Sequence, residues 1–371
     1  MTARQFAVSV AAVTLLCTGT GWVHADDLLC SSGSGCPAVG WLPSPVTGPA
    51  GAHPVGRVDT TLTAADGSRT IMASVWYPAS RPGIPATYVP AGDPIAASSI
   101  AIASAFWLHT PAAAIAMVGA TVAAAQAAPV DRTLGRLPVV VVSPGLGTPR
   151  WILSGLAEEI ASRGYAVVAM DHTGEVPAVE FPSGRIVFGG AVRPDDYRYM
   201  RARLAVRLDD SRLTLDRLTT LPVVGPLIDL DRIAMLGHSY GGLTAVQTAA
   251  ADPRVRAAVV LDGSAGWNRV ADAPALDRPV LLLAAGDTPP HPSWTRFHDP
   301  HFARAAIGSA AHYSATDLCA FGAGPRLCGT MNAARAAVVS RGVVVGWLER
   351  HLLGHDRPRP DYPEVVWQQG E

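Results

Sequence analysis

The chain has 371 residues and no lysine, so all 29 of its fixed positive side chains are arginine. Charge is scarce as well. Asp, Glu, Lys and Arg make up 16% of the chain, and the formal net charge is -1. A protein whose main partner is nucleic acid needs a basic excess to neutralise phosphates, and none is present. Also missing is the low hydrophobicity and high net charge that keep chains unfolded, since 49% of residues are hydrophobic. The 36 glycines and 31 prolines follow no period. That excludes collagen and leaves a loop-rich enzyme or a β-rich domain.

Cysteine is sparse. Cys17 falls in an N-terminal apolar run, and Cys30, Cys36, Cys319 and Cys328 remain. Four cysteines allow three pairings. The local pairs Cys30–Cys36 and Cys319–Cys328 are the simplest. Neither spacing matches the tight cysteine pairs of zinc sites, so no metal centre is expected. The N-terminus runs from Arg4 through an apolar stretch, Phe6 to Cys17, to Val23-His24-Ala25 ahead of Asp26. This is the order of a secretory signal peptide over residues 1–25, with a short N-terminal anchor as the competing reading. Export would place the protein outside the cell, where disulfides persist.

Residues 26–55 read as an irregular arm rich in Gly, Pro and Ser. A hairpin follows: Thr61-Leu62-Thr63, a turn at Asp66-Gly67, then Ile71 to Tyr77, stopped by Pro78. Residues 94–129 lack fixed charge and are rich in alanine. Pro111 divides the segment, which predicts one or two packed helices. Contact with a membrane surface or lipid is the second reading, and a membrane span the third. From Leu137 the pattern becomes strand–helix alternation. The predicted strands are Pro138–Val142, Tyr165–Met170, Asp231–Leu236, Val255–Leu261 and Pro279–Ala284. The predicted helices are Trp151–Arg163, Asp196–Leu221, Gly241–Ala250 and Asn332–Leu352. The expected class is α/β, with a mostly parallel central sheet covered by helices on both faces. Arg193, Arg198, Arg201 and Arg203 read as a solvated helix face paired with Asp195, Asp196, Asp209 and Asp210. A phospholipid head group is the competing partner for those arginines. The Pro- and Asp-rich residues 354–371 read as a surface tail.

The chemistry concentrates at Gly237-His238-Ser239-Tyr240-Gly241-Gly242. Gly-x-Ser-x-Gly between an apolar strand and an Ala-rich helix is a nucleophile turn, with small neighbours that leave the Ser239 hydroxyl exposed. Serine needs a base and an orienting acid, in the chain order Ser, acid, His. Among the later histidines, His312 lies among small residues that suit a loop rim. Asp262 and Asp287 each end a strand, and the commonest hydrolase layout uses the later one. The oxyanion donors are expected at the backbone N–H of Tyr240 and in the loop Ser143-Pro144-Gly145-Leu146-Gly147-Thr148. That loop lacks the Gly-Lys-Ser/Thr ending of a nucleotide site.

In this order, the motifs resemble the platelet-activating factor acetylhydrolase family of α/β-hydrolases. The resemblance covers residues 56 to 350. It rests on Trp76-Tyr77-Pro78, on Ser143-Pro144-Gly145-Leu146-Gly147, and on Asp171-His172 with Phe181-Pro182-Ser183-Gly184-Arg185. It also rests on the turn at Ser239, where the family carries Phe in place of Tyr240, and on Gly308-Ser309-Ala310-Ala311-His312, which has one extra residue. Pro144 replaces the family's loop histidine. The resemblance implies Asp262 rather than Asp287 as the acid, His312 as the base, and Leu146 and Tyr240 as oxyanion donors. It implies no cofactor. It also implies a short-acyl or sn-2 acetyl phospholipid ester as substrate, with residues 94–129 placed where the family makes lipid contact. A general carboxylesterase, lipase or polyester hydrolase is the alternative. A secreted non-catalytic binding protein on the same scaffold is a further one.

Overall fold

The structure is a computed structural model and describes residues 44–267, 274–286, 291–297, 302–356 and 358–369. The signal-like segment and Cys30 and Cys36 lie outside these residues. Strands β1 (Val55–Thr63) and β2 (Thr70–Pro78) form the expected hairpin, and β3 (Pro85–Thr87) follows. Helices α1 (Pro94–Trp107) and α2 (Ala113–Gly119) precede β4 (Thr121–Gln126) and β5 (Leu137–Ser143). Next come α3 (Ser154–Ala161), β6 (Ala166–Met170), the small pair β7 (Ala178–Glu180) and β8 (Ile186–Phe188), and the long helix α4 (Tyr197–Arg217). β9 (Ile228–His238), α5 (Tyr240–Ala251), β10 (Val255–Leu261), β11 (Val280–Ala285) and β12 (Phe302–Ile307) continue the alternation. The short α6 (Pro325–Cys328), α7 (Ala333–Leu353) and β13 (Val365–Gln369) complete it.

One 11-stranded sheet runs β13-β12-β11-β10-β9-β5-β6-β2-β1-β4-β3. From β12 to β6 every neighbouring pair is parallel. These central strands are apolar on both faces, as β5 shows. Val140 and Val142 enter the core shared with α1, α2, α3 and α7, while Leu137, Val139 and Val141 enter the core shared with α4 and α5. Two-sided burial explains why the central strands read as continuous valine and leucine runs.

Six strands escaped the sequence reading: the three-residue β3, β7 and β8, and the longer β4, β12 and β13. Residues 94–129 hold two helices, but their end forms β4, paired parallel to β1 near the sheet edge. β12 and the tail strand β13 pair antiparallel at the opposite edge. The C-terminal residues are therefore partly sheet, not only a surface tail. Among the described residues no helix is long and apolar enough to cross a membrane. Helix α1 starts where Asp93 Oδ1 accepts from the N–H groups of Ile95 and Ala96 at 2.8 and 2.9 Å.

Two sites in this frame yield tests. A side chain at Gly241 would place Cβ 1.9 Å from the Ser143 carbonyl oxygen, so α5 seats on β5 only because residue 241 is glycine. Gly241→Ala should cost about 3 kcal/mol or more, read as a drop in thermal midpoint; an unchanged midpoint would contradict the close approach. The second site is Glu158 on α3. Its Oε1 accepts from Ala124 N–H at 2.6 Å, while Oε2 is buried without a partner. Burial pushes this carboxyl up to about 7 from an ordinary 4.5. A raised folded pKa means stability that is complete below the unfolded value and is lost as pH rises through the folded one. Glu158→Gln does not titrate. It should therefore gain stability on the wild type by about 2–3 kcal/mol between about pH 5 and pH 8. Urea midpoints at the two pH values measure this, and a pH-independent difference would refute it.

Candidate active site

The carboxyl ends of β5, β9 and β10 and the loop after β12 supply the site. Ser239 stands between β9 and α5 with φ 55° and ψ -121°. An L-residue rarely adopts such a conformation, which costs about 1–3 kcal/mol and persists only where the surroundings over-determine it. Here they do. A Cβ at Gly237 would lie 1.9 Å from the Gly241 oxygen, and one at Gly263 would lie 2.2 Å from the Ser239 oxygen. The Ser239 N–H donates to Leu261 O at 2.8 Å, which ties the turn to β10. Ser239 is half-buried, whereas His238 is fully buried.

Asp262 follows β10 and also has a positive φ, 45°. Its N–H donates to Leu283 O at 2.7 Å, and its Oδ1 accepts from Ala285 N–H at 2.8 Å. Its Oδ2 accepts from His312 Nδ1–H at 2.6 Å. Burial works against the Asp262 charge, but the bond from His312 prevails and holds this carboxyl below the ordinary range. With Nδ1–H committed to Asp262, Nε2 is the basic nitrogen of neutral His312. The His312 side chain is 40% exposed, enough to meet a substrate.

His238 supports His312 from below. Its Nε2–H donates to His312 O at 2.6 Å, and the two rings lie 4.7 Å apart. Burial and the neighbouring His312 ring push the His238 pKa well down, so His238 serves as a neutral donor. The His312 loop is braced elsewhere too. Ser309 O accepts from Thr330 and Met331 N–H at 2.9 and 3.1 Å. Ser314 Oγ accepts from Ala311 N–H and donates to Cys328 O, each at 2.8 Å. Cys319 and Cys328 are joined by a disulfide with a Cα–Cα distance of 5.6 Å, which closes the bracing segment.

Asp262, His312 and the turn at Ser239 thus share one end of the sheet. Asp287, the alternative acid, lies outside the described residues. The loop containing Leu146 reaches the same place: a Cβ on Gly145 would lie 3.5 Å from Ser239 Cβ. Tyr240 opens α5 and is buried, and Leu146 is half-buried beside it in a small apolar cluster. A cavity of about 380 Å³ adjoins Tyr240 and is walled by Tyr197, Met200, Leu243, Trp267 and His291. Among the described residues no group of three His, Cys, Asp or Glu could hold a metal ion.

The sequence reading missed the charges beneath this loop. Asp210 belongs to no solvated face. It is fully buried and accepts from Arg69 at 2.7 and 2.8 Å and from His172 Nδ1–H at 2.9 Å. Arg193, Arg198 and Arg201 are exposed as expected. Arg207 and Glu175 form a second buried pair that binds the 143–147 loop directly. Helical periodicity carried a partial signal, because Arg207 follows the buried Leu204 by three residues on α4.

The described geometry brings a serine turn and a histidine bonded to a carboxylate to one end of the sheet, the residue types that acyl transfer uses. Comparisons with known proteins point the same way. The family model "Platelet-activating factor acetylhydrolase, isoform II" matches residues 44–181 and 220–287. A probable 1-alkyl-2-acetylglycerophosphocholine esterase of Arthroderma benhamiae is 30% identical over 264 residues, covering 62% of this chain and 66% of that protein. The platelet-activating factor acetylhydrolase of Cavia porcellus is 27% identical over 156 residues, covering 35% of this chain and 36% of its own. The chain thus spans less than two thirds of these relatives. Among solved structures, a ferulic acid esterase from Streptomyces cinnamoneus superposes with a TM-score of 0.71 at 32% identity, covering 87% of this chain and 99% of that one. From its matched family model and its sheet topology, the chain belongs to the platelet-activating factor acetylhydrolase, isoform II, family of α/β-hydrolases.

Proposed function

We propose that the protein is a serine carboxylic-ester hydrolase acting on short-acyl esters through an acyl-enzyme. The observation that carries this reading is the 2.6 Å bond from His312 to Asp262, beside a serine held at φ 55°. Ser239 Oγ attacks the ester carbonyl carbon while its proton passes to His312 Nε2. Asp262 keeps the imidazole oriented and offsets the charge it gains. The N–H groups of Leu146 and Tyr240 receive the oxyanion. His312 then protonates the leaving alcohol, and afterwards takes a proton from the water that releases the acid.

The cavity beside Tyr240, about 380 Å³, suits a short acyl group better than a long chain. An sn-2 acetyl phospholipid is the finer reading, supported by the names of the fungal and mammalian relatives. The aromatic walls Tyr197, Tyr240 and Trp267 favour a second reading, an aromatic acyl ester, which the ferulic acid esterase relative also supports. Export is supported by the signal-like N-terminus and the Cys319–Cys328 disulfide. Lipid contact through residues 94–129 is supported by an exposed apolar stripe on α1. Ile95, Ile102 and Phe106 are spaced seven and four residues apart and are 80, 39 and 69% exposed.

Ser239→Ala should abolish turnover of p-nitrophenyl acetate, and Asp262→Asn should lower kcat by about 10⁴-fold. Acetyl phospholipid and methyl ferulate, assayed beside the nitrophenyl ester, separate the two substrate readings. Turnover that survives Ser239→Ala would overturn the mechanism, and full activity in Asp262→Asn would return the acid to Asp287. For the apolar stripe, sedimentation with phosphatidylcholine vesicles should fall at least tenfold in Ile95→Ser/Phe106→Ser, with p-nitrophenyl acetate turnover unchanged. Equal sedimentation would refute lipid contact there.

A further inference from the structure

The loop expected to donate the oxyanion hydrogen bond has no regular secondary structure, yet something must fix its peptide planes. The buried guanidinium of Arg207 touches it at several points. Nη1 donates to Pro144 O at 2.8 Å and to Ser143 Oγ at 3.2 Å, and Nη2 donates to Gly145 O at 2.9 Å. A trans peptide points its carbonyl and its N–H in opposite directions. Arg207 on the Gly145 carbonyl therefore turns the Leu146 N–H away from Arg207. The loop also lies against the nucleophile turn, since a Cβ at Gly145 would come within 3.5 Å of Ser239 Cβ.

The same guanidinium reaches the other expected donor. Its Cζ lies 4.9 Å from the centroid of the Tyr240 ring. The Tyr240 hydroxyl in turn donates to Met200 O on α4. One side chain thus grips the residues at both halves of the hole. Glu175 holds Arg207 through both carboxylate oxygens, with Nε to Oε2 at 3.0 Å, and Oε1 also accepts from Gly147 N–H at 3.2 Å. His172 adds a neutral link. Its Nε2 accepts from Ser143 Oγ–H at 2.9 Å, and its Nδ1–H is held by Asp210. Arg207 is 1% exposed and Glu175 is 3% exposed, so neither meets bulk solvent or substrate.

We propose that Arg207, clamped by Glu175, is a positioning residue that sets the two backbone donors of the oxyanion hole. The inference rests on the Ser239 ester hydrolase reading. An Arg207–Glu175 pair that only held the fold together would affect stability, or all ligands alike. A positioning pair acts on the tetrahedral state and spares the ground state.

The test compares wild type, Ser239→Ala, Arg207→Lys and the double variant Arg207→Met/Glu175→Met. The double variant leaves no buried charge unpaired, which makes it the better folded choice. Arg207→Lys keeps the charge pair but loses the fork that grips two carbonyls, so it serves if the double variant unfolds. With p-nitrophenyl acetate, the double variant should lose about 100-fold in kcat, with KM within about threefold of wild type. The inhibition constant of a short alkyl trifluoromethyl ketone, which forms a tetrahedral adduct, should rise by a similar factor. Arg207→Lys should lose about 10-fold in kcat with the same pattern. A folded variant with wild-type kcat would overturn the positioning role. So would a loss confined to KM, or one that leaves ketone affinity untouched. Absence of Ser239-dependent turnover in the wild type would instead defeat the underlying hydrolase reading.

Discussion

The close approach of three backbones governs the architecture of the site. Strand β9 must turn into α5 within a single residue, beside β5 on one flank and β10 on the other. Gly237, Gly241 and Gly263 are the positions where a methyl group would strike main-chain oxygen at about 2 Å. Removing Cβ there lets the strands and helix close until Ser239 has one conformation left, with φ 55°. The turn that carries the serine is then placed at the sheet end as a consequence of packing. Asp262 is placed by the same logic one strand over. Its own positive φ lets its carboxylate reach back toward His312 while its N–H stays in the ladder to β11.

The part of that constraint carried by Gly237 and Gly241 is local in sequence, which makes it legible. Glycines flanking a serine between an apolar run and an alanine-rich run leave little choice of geometry. The β5, β9 and β10 runs were legible because both faces of each strand are buried. β12, with its arginine and its alanines, has no such run, and β13 is a short edge strand in a Pro-rich stretch. β12 is a strand because β11 offers an open edge, and β13 because β12 then offers the next one, facts of the assembled sheet that no short window contains. β4 behaves alike: Thr121–Gln126 is as alanine-rich as the helices before it, and pairing with β1 and β3 decides its conformation. The choice between Asp262 and Asp287 could not come from strand position, since both follow sheet strands. It comes from the family resemblance, which implies Asp262. The His312 bond now supports Asp262 by geometry.

The buried charges were the least legible part. Arg207 and Asp210 lie among exposed arginines and aspartates on α4, and composition cannot tell a solvated partner from a buried one. Their roles depend on Glu175 and Arg69, which are 32 and 141 residues away in sequence. Placing such ions inside a protein costs several kcal/mol each unless every polar atom finds a partner. Here the compensation is dense: Asp210 alone accepts from Arg69 twice and from His172 once. Such a network gains little net stability over an apolar core. What it does supply is directional hold on a loop that has no ladder of its own.

The absence of lysine takes on meaning at this level. A planar guanidinium can donate to several acceptors in fixed directions, whereas an ammonium acts as a point charge. Arg278 uses a single Nη1 to gather the carbonyls of Ala249, Asp252 and Val255 at 2.7–2.9 Å, binding the end of α5 to β10. Arg150 links Ser74 on β2 to Asp171 after β6. Arg341 on α7 reaches the Thr47 carbonyl and Asp317. Arg207 does the same under the oxyanion loop. In each case one guanidinium joins separate segments of the chain. Whatever drove lysine from the composition, the arginines that remain do in the loops what hydrogen-bond ladders do in the strands. Of the loops that frame Ser239, the one that carries Leu146 is held in this way, through the carbonyls of Pro144 and Gly145.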